Sequence, residues 1–346
     1  MHRFFKAAIA AAFVGISGWA QAQDLIPERR VVVTQDQDLP GGDIASVFDT
    51  TIEACERACL TNARCTAYVY NTRNGSCFVK NSPGEGTFFA GAWSAFVLEA
   101  DPAVRDAAAA RRAELAFLPD WDMTPALDQA QGLGRQYPTG PWGAEDHLAE
   151  ATSAEARGDW VAAAAFTGAA LNLTDDAATW GEFARRLLEA AKADQNQQYY
   201  WLGQAYPASI NGYLRAENPA LRHTILVTMA EVLERNGRGR DTVQALRLAQ
   251  SLQSRTDTAA LRDDAIGKYG FRVAETLVQS DLARPRICAT FSEDLVASGV
   301  DYATFVQLKD PGLTVENGGW RQLCVAGLEH GKRYSVTFRE GLPAAD

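Results

Sequence analysis

The chain reads as a multidomain α+β protein, and three observations carry that reading. Four of its six cysteines cluster between Cys55 and Cys77, two more stand at Cys288 and Cys324, and none lies between. The stretch after Pro102 turns rich in Ala, Arg and Glu, the strong helix formers. Beyond Gly270 the pattern changes again, to short alternating runs of strand type. The expected organisation is a disulfide-stapled head over residues 30–98, a helical middle over 102–265 and a β-sandwich-like domain over 270–346. At 346 residues the chain exceeds one typical core, which also favours two or three domains.

The first residues look like a targeting segment. Arg3 and Lys6 precede an apolar run from Ala7 to Trp19, and Ala20-Gln21-Ala22 supplies a small-x-small cleavage site. That is the layout of a secretory signal peptide, assigned to residues 1–22. The apolar run is short for a bilayer span. No cysteine at the cleavage site could take a lipid, and no later segment is long and apolar enough for a membrane helix. The mature protein is expected to be periplasmic or secreted, with no integral membrane segment after signal cleavage. In such a compartment an even cysteine count reads as disulfides. With 33 basic and 43 acidic residues, net −10, and no basic cluster, the charge argues against nucleic acid and anionic lipid as partners.

In the head, Arg30-Val31-Val32-Val33-Thr34 is a strand-type run and Asp38 to Asp43 a turn-rich loop. Thr50-Thr51-Ile52-Glu53 has the form of a capping box with Thr50 as N-cap. On the helix that follows, to about Leu60, Ile52, Cys55 and Cys59 share one face. The two thiols point inward side by side, so their partners must come from later segments. Cys65 to Tyr70 alternates as a strand, Asn74-Gly75 is a two-residue hairpin signal, and Ser76 to Lys80 returns. A nested pairing, Cys59–Cys65 inside Cys55–Cys77, fits a helix packed on this hairpin; the crossed alternative stays open. A metal site is disfavoured, because the second cysteine pair is eleven residues apart and no histidine is near.

The spacing Cys55-x3-Cys59-x5-Cys65-x11-Cys77, with Thr-Ala-Tyr after the third cysteine and Cys-Phe-x-Lys at the fourth, resembles a PAN/Apple domain. The resemblance implies the nested disulfides and a module that binds protein or carbohydrate. Tyr68, Tyr70 and Arg73 are the candidate ligand contacts, although alternating tyrosines also suit plain sheet positions.

In the middle, Ala103 to Leu118 is a helix ended by Pro119, and a glycine- and proline-containing loop follows to Gly143. Helices are expected from Ala144 to about Asp264. Two helix–turn–helix units stand out: His147–Ala156 and Val161–Leu171 around Arg157-Gly158-Asp159-Trp160, and Leu221–Arg235 and Arg240–Leu252 around Asn236-Gly237-Arg238-Gly239. Ala163, Ala164, Ala165, Ala169 and Ala170 in one unit, with Ala245 and Ala249 in the other, offer small faces for close helix packing. These units resemble TPR repeats, some eighty residues apart. Trp160, Trp180, Tyr199, Tyr200 and Trp201 are expected as core aromatics.

The final region offers strands at Phe271–Val278, Pro285–Ser292, Leu313–Val315, Arg321–Val325 and Tyr334–Phe338. Cys288 and Cys324 lie inside two of them and are expected to bridge. Arg286-Ile287-Cys288-Ala289-Thr290-Phe291-Ser292-Glu293-Asp294-Leu295 and Gly327 to Tyr334 resemble the first macroglobulin-type domain of bacterial alpha-2-macroglobulins. With the head and helices before it, the order resembles the N-terminal part of that family. The resemblance implies a structural and recognition portion of a cell-envelope protease inhibitor, with a protease or neighbouring macroglobulin domains as partner and further domains after Asp346. None of the cysteines is followed by the family's Cys-x-Glu-Gln thioester pattern. The alternative is an exported PAN-type binding protein in its own right.

An enzyme is not expected. His147, His223 and His330 are isolated, the mature chain has no Gly-x-Ser-x-Gly elbow, and no glycine-rich phosphate loop carries a Lys-Ser/Thr. No cofactor, catalytic residue or metal is assigned.

Overall fold

An extended valine-rich strand opens the head and becomes the edge by which it docks on the helices. The computed structural model describes residues 25–339 and 341–345; the expected leader, residues 1–22, lies outside them. Among the described residues the head comprises β1 (Arg29–Asp38), β2 (Asp43–Val47), α1 (Ile52–Leu60), β3 (Ala67–Asn71), β4 (Ser76–Lys80) and β5 (Thr87–Glu99). The strands form one antiparallel sheet in the order β1-β5-β3-β4-β2. Helix α1 covers one face, where Val31, Val33, Tyr68, Val79 and Ala95 pack with Cys55, Cys59, Cys65 and Cys77. Cys55 bonds Cys77 and Cys59 bonds Cys65, the nested arrangement.

Two local expectations shift. The N-cap of α1 is Thr51, whose hydroxyl accepts from Ala54 N at 3.3 Å, not Thr50. Thr50 is committed elsewhere: its N–H donates to Gly75 O and its carbonyl accepts the Tyr70 hydroxyl. The β3–β4 turn is also longer than two residues, because Asn71 pairs with Ser76 across a loop of residues 72–75.

The middle begins with α2 (Pro102–Glu114), a 3₁₀ turn at Asp120–Asp122, and α3 (Met123–Gln136). Helix α3 falls where the sequence suggested loop. Its Gly132 and Gly134 are weak helix formers, but Gly134 serves an approach to the head: a Cβ there would sit 2.4 Å from Val31 O. Then come α4 (Ala144–Ala156), α5 (Trp160–Thr174), α6 (Ala177–Ala193), α7 (Gln198–Arg215), α8 (Pro219–Arg235), α9 (Gly239–Leu252) and α10 (Thr256–Tyr269). The α4–α5 and α8–α9 hairpins turn at Gly158 and Gly237, both left-handed at φ of 75° and 74°. Between them α6 and α7 make a third hairpin through Asp194–Gln197, which has no glycine to announce it. These two helices cross closely where Gly212 faces Gly181. The last helix reaches Tyr269, beyond the expected boundary at 265. Among the described residues no helix is long and apolar enough to cross a membrane.

The aromatic set divides. Trp180 is fully buried, but Tyr199 and Tyr200 at the start of α7 are 75% and 52% exposed, so they are not core. Ala165 likewise faces solvent while Ala163, Ala164, Ala169 and Ala170 are buried. An α5 face can bury only the residues within its stripe, and position 165 falls outside it.

The C-terminal region has β6 (Val273–Gln279), β7 (Arg286–Phe291), β8 (Val306–Leu308), β9 (Thr314–Gly319), β10 (Gln322–Ala326) and β11 (Val336–Phe338). A sheet ordered β6-β7-β10-β9 packs on the smaller pair β11-β8. Phe291, Leu323 and Val325 from the first sheet meet Val306, Val336 and Phe338 from the second. Cys288 and Cys324 face each other on β7 and β10 and are bonded, so this disulfide ties neighbours in one sheet.

Two buried histidines give the helical core an acid sensitivity. His147 packs against both Trp142 and Phe166 and His223 is 1% exposed; neither ring nitrogen of either has a hydrogen-bond partner. Burial pushes both imidazoles below their usual range, Asp146 opposing it at His147 and Arg255 adding to it at His223. A depressed folded value means that the unfolded chain binds protons first as pH falls. Stability is therefore full above the unfolded histidine value, about 6.5, and declines below it. Melting temperature is expected to fall between about pH 6.5 and 5, and to fall less in a His147→Phe, His223→Leu double variant. An unchanged pH slope in that variant would refute the assignment.

Candidate functional site

The head sheet is closed at one edge and open at the other. Edge strand β1 is paired by the helical middle: Gln35 N donates to Thr139 O at 3.0 Å and Thr139 N to Val33 O at 2.8 Å. Asn172 Nδ2 adds a bond to the same Val33 O at 3.3 Å. Arg135 of α3 forms an ion pair with Glu56 of α1, whose carboxyl is pushed up by burial and pulled back by that arginine. With so many backbone groups satisfied across the junction, the head is held as a fixed platform. Surfaces free for a partner lie away from this edge.

One such surface gathers at the end of the sheet formed by residues 72–75 and 87–91. Asp36 adopts a left-handed conformation, φ 54°, where the β1–β5 register shifts between Gln35 and Gln37. Its carboxylate accepts from Gly91 N at 2.8 Å. Gly91, at φ 85°, offers its carbonyl to both the N–H and the hydroxyl of Thr72, at 2.9 and 2.8 Å. The lack of a Cβ at Gly91 also leaves room for Arg73, whose Nε would lie 3.0 Å from one. Arg73 thereby rests across Gly91 and over the Phe89 ring, 5.9 Å from its centroid. Asn71 Oδ1 fixes the arginine's backbone by accepting from Arg73 N at 2.9 Å. Beside it, Phe88 is 82% exposed and Phe89 46%. Phe48, 62% exposed, projects from the neighbouring segment that Thr50 N ties to Gly75 O.

The arrangement can stack an apolar or sugar face on phenylalanine and offer guanidinium N–H donors beside it. Arginine and aromatic side chains, phenylalanine among them, are enriched in protein interfaces. No charge-relay or metal-ligand cluster accompanies it, and no group of His, Cys, Asp and Glu that could hold a metal occurs among the described residues.

The three candidate contacts separate under this geometry. Arg73 is exposed and central. Tyr68 is fully buried and is not a contact: its position alternates onto the α1 face, and burial drives its hydroxyl far up, with Glu56 adding to that. Tyr70 is half-buried with its hydroxyl donated to Thr50 O at 3.0 Å, which makes it a brace for the loop before α1. The Tyr68 hydroxyl has no partner, so Tyr68→Phe is expected to leave stability unchanged or raise it by up to about 1 kcal/mol. Loss of more than that in chemical denaturation would show that the hydroxyl is bonded after all. Phe88 and Phe89 escaped notice in the sequence, but a signal existed. A strand sends consecutive residues to opposite faces, so two adjacent phenylalanines flanked by Gly86 and Gly91 cannot both enter a core on one face.

Comparison with known proteins agrees with the cysteine spacing and the geometry for this part of the chain. The model of the PAN domain matches residues 30–90. No curated protein matches the chain. Residues 30–90 form a PAN domain.

Proposed function

We propose that the protein is an exported, non-catalytic binding protein whose PAN domain presents Arg73, Phe88 and Phe89 to a protein or carbohydrate partner. The observation that carries this is the guanidinium of Arg73 lying over Phe89 next to the exposed Phe88. Exposed phenylalanines cost solvation without a partner, and Gly91, held by Asp36 and Thr72, leaves Arg73 room to rest over Phe89. The three disulfides support an oxidising compartment. The helical middle acts as the mount that fixes the platform. The test is to screen the mature protein against arrays of envelope glycans and proteins, then map the ligand by hydrogen exchange. Protection at residues 72–73 and 87–91 is expected; protection confined to other surfaces sinks the proposal.

A second reading, the front part of an alpha-2-macroglobulin-like protease inhibitor, draws support from the uneven C-terminal sandwich. Strand β6 is exposed along nearly its whole length, with Val278 at 64%. The smaller two-stranded sheet packs on β7 and β10, so a neighbouring domain would have a place beside the exposed β6. Protease inhibition that depends on these residues within the native polypeptide would favour this reading; a native protein with no effect on any protease would remove it.

A further inference from the structure

The C-terminal region carries a tryptophan that its fold does not use. Trp320 is 85% exposed and, with Arg321, forms the two-residue turn between β9 and β10. Two-residue hairpin turns favour Asn, Asp and Gly, so the turn itself gives no reason for an indole. Its place is nevertheless well fixed. The β9–β10 register slips at Gly318: Gly319 meets Gln322, and Asn317 already meets Leu323. A Cβ on Gly318 would sit 2.7 Å from Cys324 Sγ, so this bulge rests on the disulfide. Bulges of this kind re-aim the side chains beside them. From the other side, Leu295 N donates to Trp320 O at 2.6 Å and Phe291 N to Arg321 O at 2.7 Å.

Beside the turn lies a cavity of about 410 Å³, lined by Trp320 with Asp294, Leu295, Ala297, Asn317 and Gly319. We infer that this cavity binds a neutral oligosaccharide of glucose type, with one pyranose ring stacked on Trp320. The C–H face of such a ring is apolar and weakly positive, and it matches the negative π face of an indole. Two polar groups stand ready for its hydroxyls. Asn317 Oδ1 accepts from Gly319 N at 2.9 Å, which fixes the amide and leaves its Nδ2 to donate. Asp294 Oδ1 accepts from Arg321 Nε at 2.5 Å, and the aspartate side chain is 41% exposed, so Oδ2 can accept. Among the described residues neither Asn317 Nδ2 nor Asp294 Oδ2 has a protein partner. Leu295 and Ala297 complete the lining with apolar surface. An apolar and aromatic wall with a few fixed polar groups, at this volume, is the form a small-ligand site takes. Charge decides between neutral and acidic sugars. Asp294 is the one charged residue in the described lining, and Arg321 neutralises it. An anionic sugar would find no free cation there and would meet a carboxylate. The site lies in a different part of the chain from the Arg73 surface and does not rest on that reading.

The test titrates cellotetraose into the mature protein, read by calorimetry and by hydrogen exchange. Saturable binding at about millimolar concentration or below is expected, with protection at residues 294–297 and 317–320 rather than at 72–91. Trp320→Ala is expected to weaken binding by roughly tenfold or more with the fold intact by circular dichroism, and Trp320→Tyr to retain part of it. Should Trp320→Ala misfold, Asn317→Ala, at a second exposed position, carries the test with a loss of roughly threefold or more. The β-1,4 tetramer of glucuronate is expected to bind more weakly than cellotetraose. Absence of saturable cellotetraose binding, undiminished binding by a folded Trp320→Ala variant, equal affinity for the glucuronate tetramer, or protection confined to residues 72–91 would each overturn the inference.

Discussion

Asp175→Asn is expected to cost about 3 kcal/mol or more of stability, the largest effect of any single substitution considered, because it strips the buried Arg30 and Arg215 of their shared carboxylate. Asn is the informative replacement. Asp175 ends α5 in a left-handed conformation, φ 52°, which Asn tolerates better than other side chains. The backbone is thus spared and the charge alone is removed. Arg30 belongs to the head and Arg215 to α7, so the loss should fall on the junction first. Hydrogen exchange is expected to quicken along β1 and at Thr139 before the α8–α9 core responds. Protection that is unchanged at the junction, or a loss below about 1 kcal/mol, would mean that the arginines find other partners.

The second large effect concerns the nested disulfides. Cys55–Cys77 closes 22 residues and Cys59–Cys65 only 6. Loop-closure entropy then assigns about 3 kcal/mol to the first and about 2 to the second. Replacing Cys55 and Cys77 by serine should destabilise the head more than replacing Cys59 and Cys65. The outer bond also ties α1 to β4, while the inner one only fastens the end of α1 to the loop before β3. In a protein of several domains one global melting point mixes contributions, so amide exchange within β3 and β4 is the appropriate reading. A larger loss from the inner pair would contradict the entropic ordering.

What the sequence disclosed follows from how locally each feature is encoded. The cysteine spacing and the strands around it pointed to the head because helix face and hairpin order are short-range properties. The α4–α5 and α8–α9 hairpins were legible because Gly158 and Gly237 occupy left-handed turns. The α6–α7 hairpin was not, since its linker is polar and carries no glycine. Helix α3 was obscured for a different reason. Gly134 looks like loop punctuation, yet it exists to let the helix backbone approach Val31, a contact 103 positions away in sequence that no local pattern encodes. Tyr68 and Tyr70 show the same limit in the binding region: alternation predicts that they share a face, but not that α1 covers it. The Arg73 surface depends on a bulge at Asp36 and a positive φ at Gly91, both set by pairing between distant strands. Likewise the Arg30–Asp175–Arg215 cluster joins residues from three elements and has no sequence signature.

The most direct test of the binding role is a comparison of the native protein with an Arg73→Ala, Phe88→Ser, Phe89→Ser variant. Both would be titrated against the strongest glycan or protein ligand found for the native form. The side chains are exposed or half-exposed, so the variant should fold, as circular dichroism would show. The account predicts a loss of affinity of roughly a hundredfold, about 2.7 kcal/mol. Binding within about twofold of the native value by a folded variant would contradict it.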